Sequence, residues 1–181
     1  MKNDIAKVLL SEEELQRRVK ELGEEISRDY AGKNPTMVCI LKGAVMFYTD
    51  LLRSMPIPLT MDFMAVSSYG NKTKSSGEVE IRKDLSTSIE NKHVIIVEDI
   101  VDSGFTLSYL KRALASRGAA SIALATLLDK PARRAPGITL KSDYSGFVIG
   151  DEFVVGYGLD FAEKYRNLPY IGVLKPSVYE K

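Results

Sequence analysis

Apolar positions along this chain follow two periods, and the switching between them predicts alternating helices and strands. Leu15, Val19, Leu22 and Ile26 form a single helical stripe, and Ser11 with Glu14 makes a capping box in front of it. An amphipathic helix is therefore predicted from Ser11 to about Tyr30, ending at the break of Gly32 to Pro35. Strands are predicted at Thr36–Leu41, near Leu59–Val66, at Val94–Val97 and at Ile122–Leu128. Helices fall between them, from about Ala44 to Met55 and along Leu107, Leu110 and Leu114 as far as the stop at Gly118. Val94–Val97 is β-branched throughout, without polar alternation, as in a parallel strand covered on both faces. The alternation implies an α/β fold with a parallel sheet between helices. Beyond Pro131 the pattern dissolves, then resumes as short strands around Phe147–Ile149, Phe153–Val155 and Ile171–Val173, read as a smaller flap.

Bulk properties narrow this picture. With 181 residues the chain is read as one domain, large enough to bury its own core. Its 25 basic and 24 acidic residues create no global field for nucleic acid. The lone Cys39 lies in the apolar run Met37–Ile40, so a buried strand thiol and a reducing cytoplasm are expected. The N-terminal stretch carries no block resembling a secretory leader, and no segment approaches a membrane span, so no membrane partner is expected. His93, the single histidine, precedes the central strand and receives no role, and no Cys/His cluster suggests zinc.

The chemistry concentrates at residues 94–107. The apolar run ends in Glu98 and Asp99, at the carboxyl edge of a strand where open α/β sheets bind ligands. Asp102, Ser103, Gly104 and Thr106 then form a small-residue turn opening a helix, which can aim backbone N–H groups and hydroxyls at an anion. Strand, acidic turn and phosphate loop together describe a sugar-phosphate site. Other phosphate motifs fit poorly: no glycine-rich loop ends in Lys-Ser or Lys-Thr, and the Gly156-Tyr157-Gly158 run lacks a third glycine.

This segment resembles the phosphoribosyl-pyrophosphate signature of the type I phosphoribosyltransferases, two acids followed by an Asp-[Ser/Thr]-Gly-x-Thr loop. Over nearly the whole chain it is similar to the hypoxanthine-guanine branch of bacterial type. The resemblance implies a five-stranded parallel core, about residues 35–130, under a hood from about residues 1–10 and 131–181. It implies that Glu98 and Asp99 hold the ribose hydroxyls, that Asp102 to Leu107, Phe105 included, hold the 5-phosphate, and that Asp102 acts as base toward the purine N7 proton. Pyrophosphate would meet Lys42, Gly43 and Arg166, the last on a further helical piece, with the Leu41–Lys42 peptide cis. Ala44 and Asn167 depart from the pattern, which often has Gly and Asp there.

The base would stack on Phe153, meet the backbone of Val154 and lie near Asp160. Lys130 would select it, because an ammonium only donates hydrogen bonds and so favours a 6-oxopurine over adenine. The run from Ser67 to Glu80 reads as a long loop, with Ser68 and Tyr69 as lid residues. Magnesium would be held by Glu98, Asp99 and Asp160 with substrate oxygens. The implied partners are phosphoribosyl pyrophosphate, a 6-oxopurine and further copies of the chain, as a homodimer or homotetramer. A pyrimidine- or adenine-specific transferase shares the phosphoribosyl loop, and the fold can also serve an RNA-binding regulator. Lys130 with Phe153 argues against the first two, and the neutral charge against the third.

Overall fold

The computed structural model describes residues 1–68 and 79–180. In chain order the elements are β1 Ile5–Leu10, α1 Glu12–Asp29, β2 Thr36–Leu41, α2 Val45–Arg53, β3 Thr60–Ser68 and β4 Val79–Lys83. They continue with β5 His93–Val101, α3 Phe105–Ala115, β6 Ser121–Asp129, β7 Tyr144–Val148, β8 Val154–Val155, β9 Ile171–Leu174 and α4 Pro176–Tyr179.

Six strands form the main sheet in the order β4-β3-β2-β5-β6-β7. Five of them are parallel, as expected, and β4 joins antiparallel to β3. The uninterrupted apolar runs have a simple cause: successive residues face different helices. Met37, Cys39, Ile95 and Val97 pack with Leu15, Leu22, Ile26, Phe47 and Leu51 of α1 and α2. Val38, Ile40, Val94 and Ile96 pack on the other face with Leu107, Leu110 and Leu114 of α3. Cys39 is buried as expected, and removal from water, aided by the nearby Glu98 and Asp99 charges, pushes its thiol up to about 12.

From β2 the chain winds outward through β3 to β4, then returns to β5 and winds the other way through β6 to β7. The topological switch point therefore lies between the carboxyl ends of β2 and β5, where open sheets leave a crevice. A second sheet, β1-β9-β8, is antiparallel and builds the hood from both ends of the chain.

Three expectations are corrected. The central strand runs on to Val101, so Glu98 and Asp99 stand within β5, Glu98 level with Thr126, rather than beyond its end. The segment 144–148 belongs to the main sheet and not the flap. It is the outermost strand, and its edge is closed by Arg18, whose guanidinium donates to the Ser145 and Gly146 carbonyls at 2.8 and 3.1 Å. The supposed loop from Ser67 to Glu80 has paired ends, Ser67 with Glu80 and Ser68 with Val79. In the hood sheet the pairing of β1 with β9 slips register twice, which accounts for the lack of clean alternation along Ile5–Leu10.

Buried Asp62 ties the start of β3, the strand paired with β4, to the segment after β4. Its oxygens accept the Phe63 and Ser86 N–H groups at 2.8 and 2.9 Å. Burial pushes this carboxyl up, but those N–H donors, with further ones from Ser86 and Thr87, more than offset it and hold it below its ordinary range. A depressed folded-state value means stability present above the unfolded pKa and lost as pH falls through the folded one. Asp62→Ala should cost about 1–3 kcal/mol at pH 7, because the donors lose a charged acceptor. Calorimetry should show the deficit in Tm shrinking as pH is lowered toward 3; a deficit independent of pH would refute the assignment.

Candidate active site

At the switch point the structure opens a cleft of about 340 Å³, lined among others by Gly43, Glu98, Asp99, Asp102, Ser103, Gly104, Thr106, Leu107, Asp160 and Arg166. Ten of the residues singled out in the sequence thus share one cavity. Its floor is β5. Glu98 and Asp99 are neighbours there, with the Asp99 N–H donating to Glu98 Oε1 at 3.2 Å. Withdrawal from water, reinforced for Glu98 by the adjacent Asp99 charge, raises both carboxyls above their ordinary range. Arg166 opposes the rise at Asp99.

The phosphate loop follows directly. Gly104 adopts φ 83°, in the left-handed region, and α3 starts at Phe105 with no side chain capping its N-terminus. The N–H groups of that first turn are left to an external anion, the situation that makes a helix start a phosphate site. The Phe105 ring itself points out and is exposed, so Phe105 can serve only through its backbone. Arg134, passed over in the sequence, secures this loop from outside: its guanidinium donates to the Asp102 carbonyl at 2.6 Å and pairs with Asp129. Ala135 adds an N–H to the Ser103 carbonyl at 3.0 Å. In the sequence the Arg133-Arg134 pair looked like part of a structureless tract.

On the opposite wall, the peptide between Leu41 and Lys42 is cis, as the resemblance implied. A Cβ at residue 43 would lie 1.7 Å from Asp99 Oδ2, so only glycine admits the carboxylate. Arg166 was expected on a helical piece, but Ala162, Glu163 and Tyr165 all have positive φ and the segment folds into successive tight turns. Those turns place Arg166 where its guanidinium donates to the Gly158 carbonyl at 2.7 Å and pairs with Asp160 at 2.8 Å. Glu163, another residue not singled out, bridges Lys42 at 3.0 Å and Arg166 at 3.4 Å. It thereby links Lys42, which lies outside the cleft lining, to the guanidinium inside it.

Lys130, Phe153 and Val154 lie beside this cavity rather than in its lining. Lys130 is 8% exposed, an uncommon state for an ammonium. Its N–H donates to the Val101 carbonyl at 2.9 Å, next to Asp102. Its Nζ donates to the Glu152 carbonyl at 2.6 Å, next to Phe153. Lys130 therefore spans from the phosphate loop to the aromatic ring. Val154 is buried in β8 with its backbone paired to Val173. Ser68 ends β3, and Tyr69 falls outside the described residues.

Asp160 accepts the Glu163 N–H at 2.8 Å as well as pairing with Arg166, so both of its oxygens are engaged. Among the described residues no group of three or more acidic, His or Cys side chains is arranged to hold a metal ion. The three acids proposed as ligands are therefore not gathered into one cage. His93 lies far from this chemistry, with its Nδ1 2.7 Å from Ser121 Oγ. No helix among the described residues is long and apolar enough to cross a membrane.

Comparison with known proteins agrees with the geometry. The phosphoribosyl transferase domain family matches residues 7–162. A bifunctional TilS/HprT protein of Listeria innocua is 59% identical over 181 residues, covering 100% of this chain and 28% of that protein. The chain thus spans little more than a quarter of that relative. A hypoxanthine-guanine phosphoribosyltransferase of Bacillus subtilis is 58% identical over 180 residues, covering 99% of both chains. The crystal structure of a hypoxanthine phosphoribosyltransferase from Staphylococcus aureus superposes with a TM-score of 0.96 at 52% identity, covering 100% of this chain and 97% of the other. With the acidic pair, the uncapped helix start and the family match on the same stretch of sequence, this chain belongs to the phosphoribosyltransferase family.

Proposed function

We propose that this chain transfers the 5-phosphoribosyl group of phosphoribosyl pyrophosphate to N9 of hypoxanthine or guanine, giving IMP or GMP and pyrophosphate in purine salvage. The observation that carries the reading is the shared cleft, in which the Glu98–Asp99 pair, the loop Asp102–Leu107 and the Gly43–Arg166 wall face one cavity. The similarity to relatives bearing the hypoxanthine-guanine name supports the choice of base.

In this mechanism the free N–H groups from Ser103 to Leu107 bind the 5-phosphate, and Glu98 and Asp99 orient the ribose hydroxyls. Arg166, Lys42 and the Gly43 N–H neutralise the charge that develops on the leaving pyrophosphate. Glu163 must release Lys42 and Arg166 as the pyrophosphate end enters, since one carboxylate engages both cations. Asp102 accepts the purine N7 proton. Lys130 donates to the 6-oxo group, and Phe153 stacks on the base. The half-buried neighbours Glu98 and Asp99 would hold a magnesium ion together with substrate oxygens, because two adjacent carboxylates repel one another until a cation neutralises them, and Asp160 lines the same cleft. When bound, magnesium supplies charge neutralisation on the pyrophosphate. The same reading includes assembly into dimers or tetramers, which sedimentation counts directly.

The test is turnover with magnesium and phosphoribosyl pyrophosphate, offering hypoxanthine, guanine, xanthine, adenine and uracil separately. Use of adenine or uracil but neither hypoxanthine nor guanine overturns the reading. Lys130→Ala should narrow the preference for hypoxanthine over adenine by about ten- to a hundred-fold, the loss of one charge-assisted hydrogen bond. A ratio that does not move would remove the donor role.

A further inference from the structure

Phe153, the ring offered to the base, keeps 38% of its surface exposed. Two other rings hold it. Tyr179, from α4 near the C-terminus, stacks on it with centroids 4.9 Å apart and 24° between the planes. Phe161, one residue after Asp160, meets Phe153 edge-on at 5.7 Å and lies 6.4 Å from Tyr179. Those separations put Tyr179 over one face of Phe153 and set Phe161 to the side, so the two rings do not sandwich it. Offset stacking at this distance is a favoured aromatic geometry.

The short helix is well secured. The Lys175 N–H donates to the Asp4 carbonyl at 2.9 Å, and its ammonium to the Asn3 carbonyl at 2.6 Å. Val178 and Tyr179 pack against the hood cluster of Val155, Leu168 and Leu174. The Phe153 carbonyl is itself fixed by the Leu174 N–H at 2.9 Å. Both the backbone and the ring of Phe153 are therefore tied to the last strand and helix of the chain.

We propose that Tyr179 is a positioning residue for the purine: by stacking on one face of Phe153 it fixes the ring's orientation and leaves the opposite face flat for the base. The ordering of the ring is then complete before the base arrives, which lowers the entropic cost of binding. The inference rests on the reading of this site as a purine site.

Tyr179→Ala should raise KM for hypoxanthine by about two- to ten-fold, the range of a stacked aromatic pair, with kcat and KM for phosphoribosyl pyrophosphate unchanged. Tyr179→Phe should restore KM, because the ring and not the hydroxyl stacks. Tyr179→Leu, which keeps apolar packing in the hood, should behave like the alanine variant. Calorimetric titration with GMP reads the same stack without turnover and should show the same order of Kd. An unchanged or lowered purine KM in Tyr179→Ala overturns the proposal, as does rescue by leucine or an equal loss in both substrates. If the unsubstituted protein is inert with every 6-oxopurine, the reading of the site falls instead. Normal turnover with no effect on GMP affinity removes Tyr179 alone.

Discussion

Asp102→Asn should lower kcat by about 10²- to 10⁴-fold, the usual worth of a positioned general base, while KM for phosphoribosyl pyrophosphate stays within about three-fold. The substitution is informative because of how Asp102 is held. Its backbone, not its side chain, carries the contact with Arg134, and the neighbouring Ser103 carbonyl is fixed by the Ala135 N–H. The asparagine side chain is close in shape and touches neither tie, so the phosphate loop should keep its form and only proton acceptance is lost. Asp102 opens the phosphate loop directly after Val101, whose carbonyl takes the Lys130 N–H, and it is exposed at the cleft, so its carboxyl is open to an incoming base. Single-turnover kinetics should show the loss in the chemical step. An unchanged kcat would leave Asp102 as part of the phosphate loop only.

The second large effect is expected from a single methyl group. Gly43→Ala puts a Cβ 1.7 Å from Asp99 Oδ2, well inside any tolerable contact. The carboxylate is the part that can move, and moving it disturbs the acidic pair under the ribose. Retreat of the Gly43 backbone is opposed by Gly158, which is packed so tightly against the Gly43 carbonyl that it has no space for a Cβ of its own. A misplacement of about 1 Å in a positioning group costs roughly 10²-fold, and here the pyrophosphate N–H shifts as well. The expected result is a loss of about 10²- to 10³-fold in kcat/KM for phosphoribosyl pyrophosphate, with Tm changed little because a side chain absorbs the clash. Activity within three-fold of the parent would show that Asp99 has slack and does not hold the ribose.

The parts of this site that follow from local rules were visible before any coordinates. A β-branched run, paired acids and a Gly104 turn need only neighbouring residues to define them, and the structure buries the run in the core and places the acids and the turn in one cleft. Recognition failed where the deciding partner is distant in sequence. The alternation of Val79, Glu80 and Ile81 is a strand signal, but it borders a polar tract, and only pairing with β3 makes it a strand. Residues 161–166 have helical composition, yet the backbone turns left-handed at Ala162, Glu163 and Tyr165, and Arg166 meets the Gly158 carbonyl and Asp160 from there. Glu163, Arg134 and Tyr179 carry no motif at all, and they matter through contacts with Lys42, Asp102 and Phe153 across 121, 32 and 26 positions of chain (179 − 153 = 26).

Taken by itself, the sequence determined the α/β class, the buried parallel strands, the capped first helix and the anion loop, because hydrophobic period and turn chemistry are short-range properties. Tertiary structure alone decided that β5 extends beneath its own acids, that β7 joins the main sheet, and that Arg166 faces Gly158 and Asp160 from a turn. Those outcomes depend on which strand edge, carboxylate or carbonyl a group meets after folding, and that partner is chosen by packing, not by its neighbours along the chain.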